Sequence, residues 1–109
     1  MAYDEGLAVR IGEIVADRLD VAEKRMFGGL AFLVNGNLAC AVHHDDLLVR
    51  LPADEFDAAL GEPGASVFDA TGRRMRGWLV VEAAAIAEDD DLRRWVGRGL
   101  GFAGGLPPK

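Results

Sequence analysis

The chain has 109 residues, half of them hydrophobic, which is enough for one domain with its own core and too short for two. The 12 Lys and Arg residues against 18 Asp and Glu residues leave a formal net charge of −6, which argues against nucleic-acid or membrane binding driven by overall charge. Cys40 is the one cysteine, so an intramolecular disulfide bond is excluded. We predict a single domain over residues 1–109.

The N-terminal segment does not have the pattern of a signal peptide, because acidic residues are spread over positions 1–20 and interrupt any apolar run. No stretch of the sequence approaches the roughly 20 apolar residues that a membrane-spanning helix needs. A single cysteine fits a reducing compartment. Together these features predict a cytoplasmic protein without membrane contact.

The first half of the chain changes from helical to strand periodicity. Residues 4–19 predict an amphipathic helix with Asp4 as its N-cap, and its buried stripe comprises Leu7, Ile11, Ile14, Val15 and Leu19. Three strands follow at residues 30–34, 38–42 and 47–51. Asn35-Gly36 is typical of a type I′ hairpin, and His44-Asp45-Asp46 forms the second turn, so the three strands make an antiparallel meander.

The second half repeats helix and strand before a final helix. Pro52 and residues 54–60 predict a short helix, and strands follow at residues 66–68 and 75–81. The last helix begins at Asp89 or Asp90 and carries Trp95 on its apolar face. The order α-β-β-β-α-β-β-α predicts an α+β fold in which helices pack on a five-stranded antiparallel sheet.

Two motifs in this order resemble the N-terminal domain of the TfoX/Sxy family of bacterial competence regulators. The first is the run from Glu23 to Phe32, which contains Arg-Met-Phe-Gly-Gly, and the second is Met75-Arg76-Gly77-Trp78. The likeness spans nearly the whole chain. It implies the same element order and a fold similar to that of the secretion chaperones. The full-length regulators carry a second, C-terminal domain, and in a departure from them we expect this chain to be a stand-alone N-terminal domain.

The resemblance implies a regulatory role, since the better-known family members promote expression of DNA-uptake genes together with a cyclic-AMP receptor protein. We therefore predict a non-enzymatic protein-interaction module that has a protein partner and no cofactor. We also expect a homodimer, for two reasons. Phe102 and the small and apolar residues after it are surplus to one core, and a single sheet leaves one face to cover.

Basic residues near the two motifs are the candidate site for a partner or an anion. With the neighbouring tryptophan, the candidate residues are Lys24, Arg25, Arg73, Arg74, Arg76 and Trp78. If their strands lie near each other, they form a positive patch in which Arg beside Trp binds an anion or stacks on a base. The alternative is surface pairing with Glu23, Asp69 and Glu82. The patch supports a second hypothesis, a nucleic-acid-associated protein, which we favour less than a protein partner.

Cys40, His43 and His44 suggest a third hypothesis, a metal- or thiol-dependent enzyme. On a strand, Cys40 and His44 share one face and His43 the other, so the histidines point apart unless the turn begins at His43. His44 also lies about 13 Å along the strand from Cys40, too far to activate a thiolate. We therefore expect a buried structural cysteine and no metal.

Gly28-Gly29 lacks the Lys-Ser/Thr pair and the following helix that a phosphate-binding loop requires. Paired glycines between strands instead indicate a positive φ, a bulge or a close backbone approach. We expect one of Met26 and Phe27 to enter the core, and Trp78 and Trp95 to anchor it.

Overall fold

The computed structural model of the chain describes residues 3–26, 28–70 and 73–109, and for residues 70 and 73–76 it describes the backbone alone. The helices are α1 (Glu5–Ile14), α2 (Ala53–Leu60) and α3 (Asp89–Gly104), with a 3₁₀ turn at Ala83–Ile86. The strands are β1 (Val21–Met26), β2 (Gly29–Val34), β3 (Asn37–His43), β4 (Asp46–Arg50), β5 (Ala65–Ala70) and β6 (Arg73–Val81). The α+β class is confirmed.

One antiparallel sheet contains all six strands, in the order β1-β2-β3-β4-β6-β5. The predicted count of five strands is wrong because β1 was missed. β1 is an edge strand whose residues 22–25 are exposed, so its sequence lacks the apolar alternation of a half-buried strand. Pairing with β2 specifies it instead, from Val21 opposite Val34 to Met26 opposite Gly29.

Helix α1 begins as the sequence predicts and ends sooner. The Asp4 carboxylate accepts hydrogen bonds from the amides of Gly6, at 2.8 Å, and Leu7, at 3.2 Å, which confirms the N-cap. Leu7, Ile11 and Val15 are buried, but Leu19 lies beyond the helix and is fully exposed. Arg18 and Asp20 form an ion pair at 2.9 Å in the connection that follows, so this segment turns back to β1. The predicted burial of Leu19 is wrong.

The main core lies between one face of the sheet, here called the first face, and the three helices. Its largest fully buried side chains include Trp95, Phe32 and Phe56, and the expectation for Trp95 is confirmed. Helix α3 crosses β3 at Gly99, where a Cβ atom would collide with the carbonyl oxygen of Ala39. This close crossing brings the helix directly onto the sheet backbone.

The opposite face of the sheet, here called the second face, has its own apolar cluster. Its buried members are Ala31, Leu38, Ala41, Leu48 and Phe68, and half-buried Met26, Leu33, Trp78 and Val80 border them. The β5–β6 pairing shifts register between Val67 and Phe68, and Gly77 in β6 has a φ of +91°. The outer part of this hairpin therefore bends, and Phe68 packs over the second face.

The Gly28-Gly29 segment has the backbone role that the sequence indicates. Gly28 has a φ of +74°, and a Cβ atom on Gly29 would collide with the carbonyl oxygen of Val42. Asn35 and Gly36 both have positive φ, as a type I′ turn requires. Met26 packs against the second-face cluster, whereas Phe27 lies outside the described residues.

Candidate functional site

Lys24 and Arg25 project to opposite faces of the sheet, because successive residues of a strand alternate. Lys24 pairs with Ala31, a member of the second-face cluster. Arg25 pairs with Leu30, and both residues line a groove beside α1 on the first face. These two cations therefore do not belong to one continuous surface patch.

The strand order separates Lys24 and Arg25 from the arginines of β6, since β2, β3 and β4 lie between β1 and β6. Strand pairing therefore does not bring the two groups together. The backbone of β6 places Arg73 opposite Ala70 and Arg74 opposite Asp69. The side chains of Arg73, Arg74 and Arg76 lie outside the described part of the chain, so their role in binding a partner or an anion stays a prediction.

Lys24 and Arg25 are exposed. In the part of the chain that the structure describes, neither side chain has a carboxylate within ion-pair distance, and the carboxylate of Glu23 is also beyond that distance. Other basic residues are engaged there. Arg10 donates to the carbonyl of Ile86 at 2.9 Å and to Asp89 at 3.1 Å, which joins α1 to the start of α3. Lys24 and Arg25 are thus available for contacts outside this domain.

Glu62 fixes the basic side of α3 to the turn after α2. Its carboxylate accepts hydrogen bonds from Arg94 at 2.8 Å and from Arg98 at 2.7 Å, and both guanidinium groups lie over the Trp95 ring. Burial acts to raise the pKa of Glu62, but the hydrogen bonds from Arg98 and Arg94 outweigh it and hold the pKa below its ordinary value. This cluster holds two helices together, so it is a structural feature.

Trp78 is half-buried at the border of the second face, with its ring 6.5 Å from that of Phe68. The expectation that it anchors a core therefore holds only in part. The guanidinium carbon of Arg50 lies 5.7 Å from the Trp78 ring centroid and 5.4 Å from that of Phe102. The sequence did not predict this contact of Arg50, because only the pairing of β4 with β6 places Arg50 opposite Trp78.

Cys40 is completely buried on the first face, as expected of a structural cysteine. Burial raises the pKa of its thiol to about 12. The side chain is therefore a protonated, inaccessible thiol at neutral pH, and it lacks the properties of a nucleophile.

His43 and His44 lie side by side, with ring centroids 4.4 Å apart. The turn does begin at His43: β3 ends there, and His44 has a φ of 55°, so its ring returns toward its neighbour. Burial lowers the pKa of His43, and the charge of His44 lowers it further, while Asp46 acts in the opposite direction. Among the described residues, no group of three or more His, Cys, Asp or Glu side chains is placed to bind a metal.

The second face has the composition of a contact surface. Its apolar cluster is bordered by Trp78 and Leu33, and Lys24 projects to the same face. The Arg50 guanidinium lies between the rings of Trp78 and Phe102 of α3, at the end of β4. Asp46 lies nearby, but its carboxylate accepts a hydrogen bond from the amide of Ala83 at 3.2 Å. Trp and Arg next to an apolar cluster are residue types that often contribute much of the binding energy in protein interfaces.

The fold and this surface define a small α+β domain with helices on one face of an antiparallel sheet and a partly covered apolar cluster on the other. The family model of the TfoX N-terminal domain matches residues 13–103. The chain therefore belongs to the TfoX N-terminal domain family, as its two motifs indicate. Neither the comparison with curated proteins nor that with solved structures gives a match. None of the helices in the described residues is long and apolar enough to cross a membrane.

Proposed function

We propose that this chain is a non-enzymatic protein-interaction module that acts in the regulation of DNA-uptake genes. The observation that carries the proposal is the family match over residues 13–103, nearly the whole chain. At the level of the family, that match supports a competence-related regulatory or interaction role.

The environments of Cys40 and His43 favour a role in protein contacts over a role in catalysis. The thiol of Cys40 is buried and protonated at neutral pH, so it supplies neither a nucleophile nor a metal-binding thiolate. The ring of His43 packs edge-on against Phe68 at 5.2 Å, which commits it to the second-face cluster.

The second face is the surface that the partner contacts. Its half-buried border residues Leu33 and Val80 provide apolar area next to the cluster, and Lys24 adds positive charge. A partner that fits this face has an apolar patch bordered by carboxylates, because complementary charge guides encounter and fixes orientation.

A complementation experiment tests the proposal. The gene is deleted in its native bacterium, and transcripts of DNA-uptake genes are measured with the transformation frequency. We expect both to change on deletion and to return with the wild-type chain. Leu33→Glu puts a charge on the second face and should fail to restore them. Leu19→Glu is the matched control, because Leu19 is fully exposed and does not belong to that cluster, and it should restore them.

Two results count against the proposal. One is a deletion that leaves both readouts unchanged, and the other is a Leu33→Glu variant that is folded by circular dichroism and restores them fully. The nucleic-acid hypothesis is separated by measuring binding to duplex DNA and to RNA at two salt concentrations. Salt-sensitive binding that weakens in a Lys24→Ala, Arg25→Ala variant would favour that hypothesis, and we expect none.

A further inference from the structure

β1 is the terminal strand of the sheet, and within the described residues no strand pairs with its outer side. The amide of Asn35 donates to the carbonyl of Asp20 at 2.9 Å, just before the first pair of β1 and β2. Hydrogen-bonded pairs alternate along an antiparallel ladder, so Ala22, Lys24 and Met26 direct their backbone groups toward β2. The backbone groups that point outward belong to Val21, Glu23 and Arg25.

We propose that two copies of this chain dimerise by antiparallel pairing of β1 with β1, about a two-fold axis at Lys24. This inference goes beyond the proposed function and does not depend on it. In this register, Glu23 of each copy lies opposite Arg25 of the second copy, and their outward backbone groups exchange hydrogen bonds. Two six-stranded sheets become one continuous sheet.

Charge selects this register over its neighbours. Residues that lie directly opposite each other on paired strands point to the same face of the sheet. A two-fold axis perpendicular to the sheet can meet this condition only if it passes through one residue of β1, and not between two residues. An axis at Glu23 opposes two carboxylates, and an axis at Arg25 opposes two guanidinium groups. The axis at Lys24 gives two Glu–Arg pairs instead. Its cost is the opposition of two Lys24 side chains, which are exposed and flexible.

A groove beside β1 supports the same partner. It has a volume of about 370 Å³ and lies between α1 and β1, with Val9, Ala8 and Leu30 among its apolar residues and Glu23 and Arg25 at its side. Val9 is 61% exposed, one of two large hydrophobic residues so exposed in the described chain. Because α1 lies on the same face in both copies, pairing brings the two α1 helices together beside the axis. The exposed side chain of Val9 is therefore buried when the dimer forms.

Charges on an edge strand usually prevent such pairing, and in β1 they disfavour the two registers with axes at Glu23 and at Arg25. Light scattering on the full chain over a dilution series measures the result. We expect twice the 11.7 kDa mass of the chain at high concentration. Arg25→Glu should raise the dissociation constant on the order of tenfold, and so should Glu23→Arg, since each opposes like charges. The double exchange Glu23→Arg, Arg25→Glu should restore the wild-type value. Arg93→Glu, an exposed reversal away from β1, is the control.

Cysteine cross-linking tests the register itself. Two copies of Lys24→Cys face each other at the axis with Cα atoms about 4.5–5.5 Å apart, so a disulfide bond should form under mild oxidation. In Ala22→Cys the two thiols are about 14 Å apart and should not react, although both positions lie on the same face. The native Cys40 is buried and does not compete.

A wild-type chain that is monomeric at every concentration would overturn the proposal. So would an Arg25→Glu variant that dimerises as well as Arg93→Glu, a double exchange that does not restore dimerisation, or equal cross-linking at positions 22 and 24. Circular dichroism checks that each variant is folded.

Discussion

The ring of Phe68 lies 5.2 Å from the ring of His43, although β4 and β6 separate their strands in the sheet. In a flat sheet, three strand spacings would put them about 14 Å apart. Contact therefore requires the β5–β6 hairpin to bend over the second face, at the register shift after Val67. Phe68 closes one part of that face and leaves Leu33 and Val80 only half covered.

Removing the Phe68 ring should expose the part of the second face that the ring covers. Because Phe68 is 5% exposed and borders the bend, we expect Phe68→Ala to lower the free energy of unfolding by about 3 kcal/mol. Ser66→Ala, an exposed change on the same strand, should alter it by less than about 0.5 kcal/mol. Urea unfolding followed by circular dichroism measures both. Equal midpoints for the two variants would show that Phe68 does not close the second face.

The crossing of α3 over β3 depends on Gly99. Gly99→Ala forces a Cβ atom against the carbonyl oxygen of Ala39, so we expect a loss of about 1–3 kcal/mol of stability. Gly101 lies two residues on in the same helix, and an added Cβ atom there would meet open space, so Gly101→Ala should stabilise the chain by up to about 1 kcal/mol. Thermal unfolding of both variants shows whether the two substitutions change the stability in opposite directions. A Gly99→Ala variant that is more stable than the wild-type chain would contradict the close crossing.

Glu62 should make stability depend on acid pH. Its pKa in the folded chain lies below the ordinary value of 4.5, so the unfolded state takes up the proton more readily. The stabilising contribution is complete above that value and is lost as pH falls below it through the folded pKa. Glu62→Gln should lower stability at neutral pH by about 1 kcal/mol and flatten the acid limb of the pH profile.

The control for this pH profile is Asp17→Asn, which removes an exposed carboxylate outside the cluster of Glu62, Arg94 and Arg98. In Asp17→Asn, the urea midpoint measured from pH 7 down to acid pH should depend on pH as it does in the wild-type chain. If Glu62→Gln and Asp17→Asn give the same profile, the contacts of Glu62 with the arginines do not carry the acid sensitivity.

His43 should titrate differently from an isolated imidazole. Burial and the adjacent His44 both lower the pKa of His43 below its ordinary value of 6.5. His44→Ala removes the second cause and leaves the first, so the pKa of His43 should rise part of the way back. NMR titration of the imidazole signals measures this shift. An unchanged His43 pKa would mean that the 4.4 Å ring contact does not persist in solution.

Cys40 should resist modification while the chain is folded. Its thiol is fully buried, and burial raises its pKa to about 12. We expect native protein to react with a thiol-specific reagent at the rate of global or local opening, and urea-unfolded protein to react at once. Rapid stoichiometric labelling of the native chain would contradict the structural role of Cys40.

Local rules in the sequence predicted the features that depend on a few adjacent residues. Asp4 caps α1, Asn35 and Gly36 form the turn with two positive φ angles, and Gly29 sits against the backbone of Val42. Each of these positions is fixed by steric or hydrogen-bonding requirements of the backbone, which leave few residue types that fit.

The features that were missed depend on neighbours distant in the chain. β1 has no apolar alternation because it lies at the edge, and only pairing with β2 defines it. Arg50 meets Trp78 because β4 and β6 are neighbours, and Phe68 meets His43 because the hairpin bends. For the candidate residues Lys24, Arg25 and Trp78, the sequence did not predict which face of the sheet each one occupies.

Photo-cross-linking in the native host cell tests most directly that a protein partner contacts the second face. A benzophenone amino acid replaces Leu33 in one strain and Leu19 in the matched control. We predict a discrete cross-linked product from position 33 that contains a second, different protein, is absent from position 19, and disappears when Trp78→Ala is added. Equal patterns at the two positions, or a product from position 33 that contains only this chain, would contradict the account.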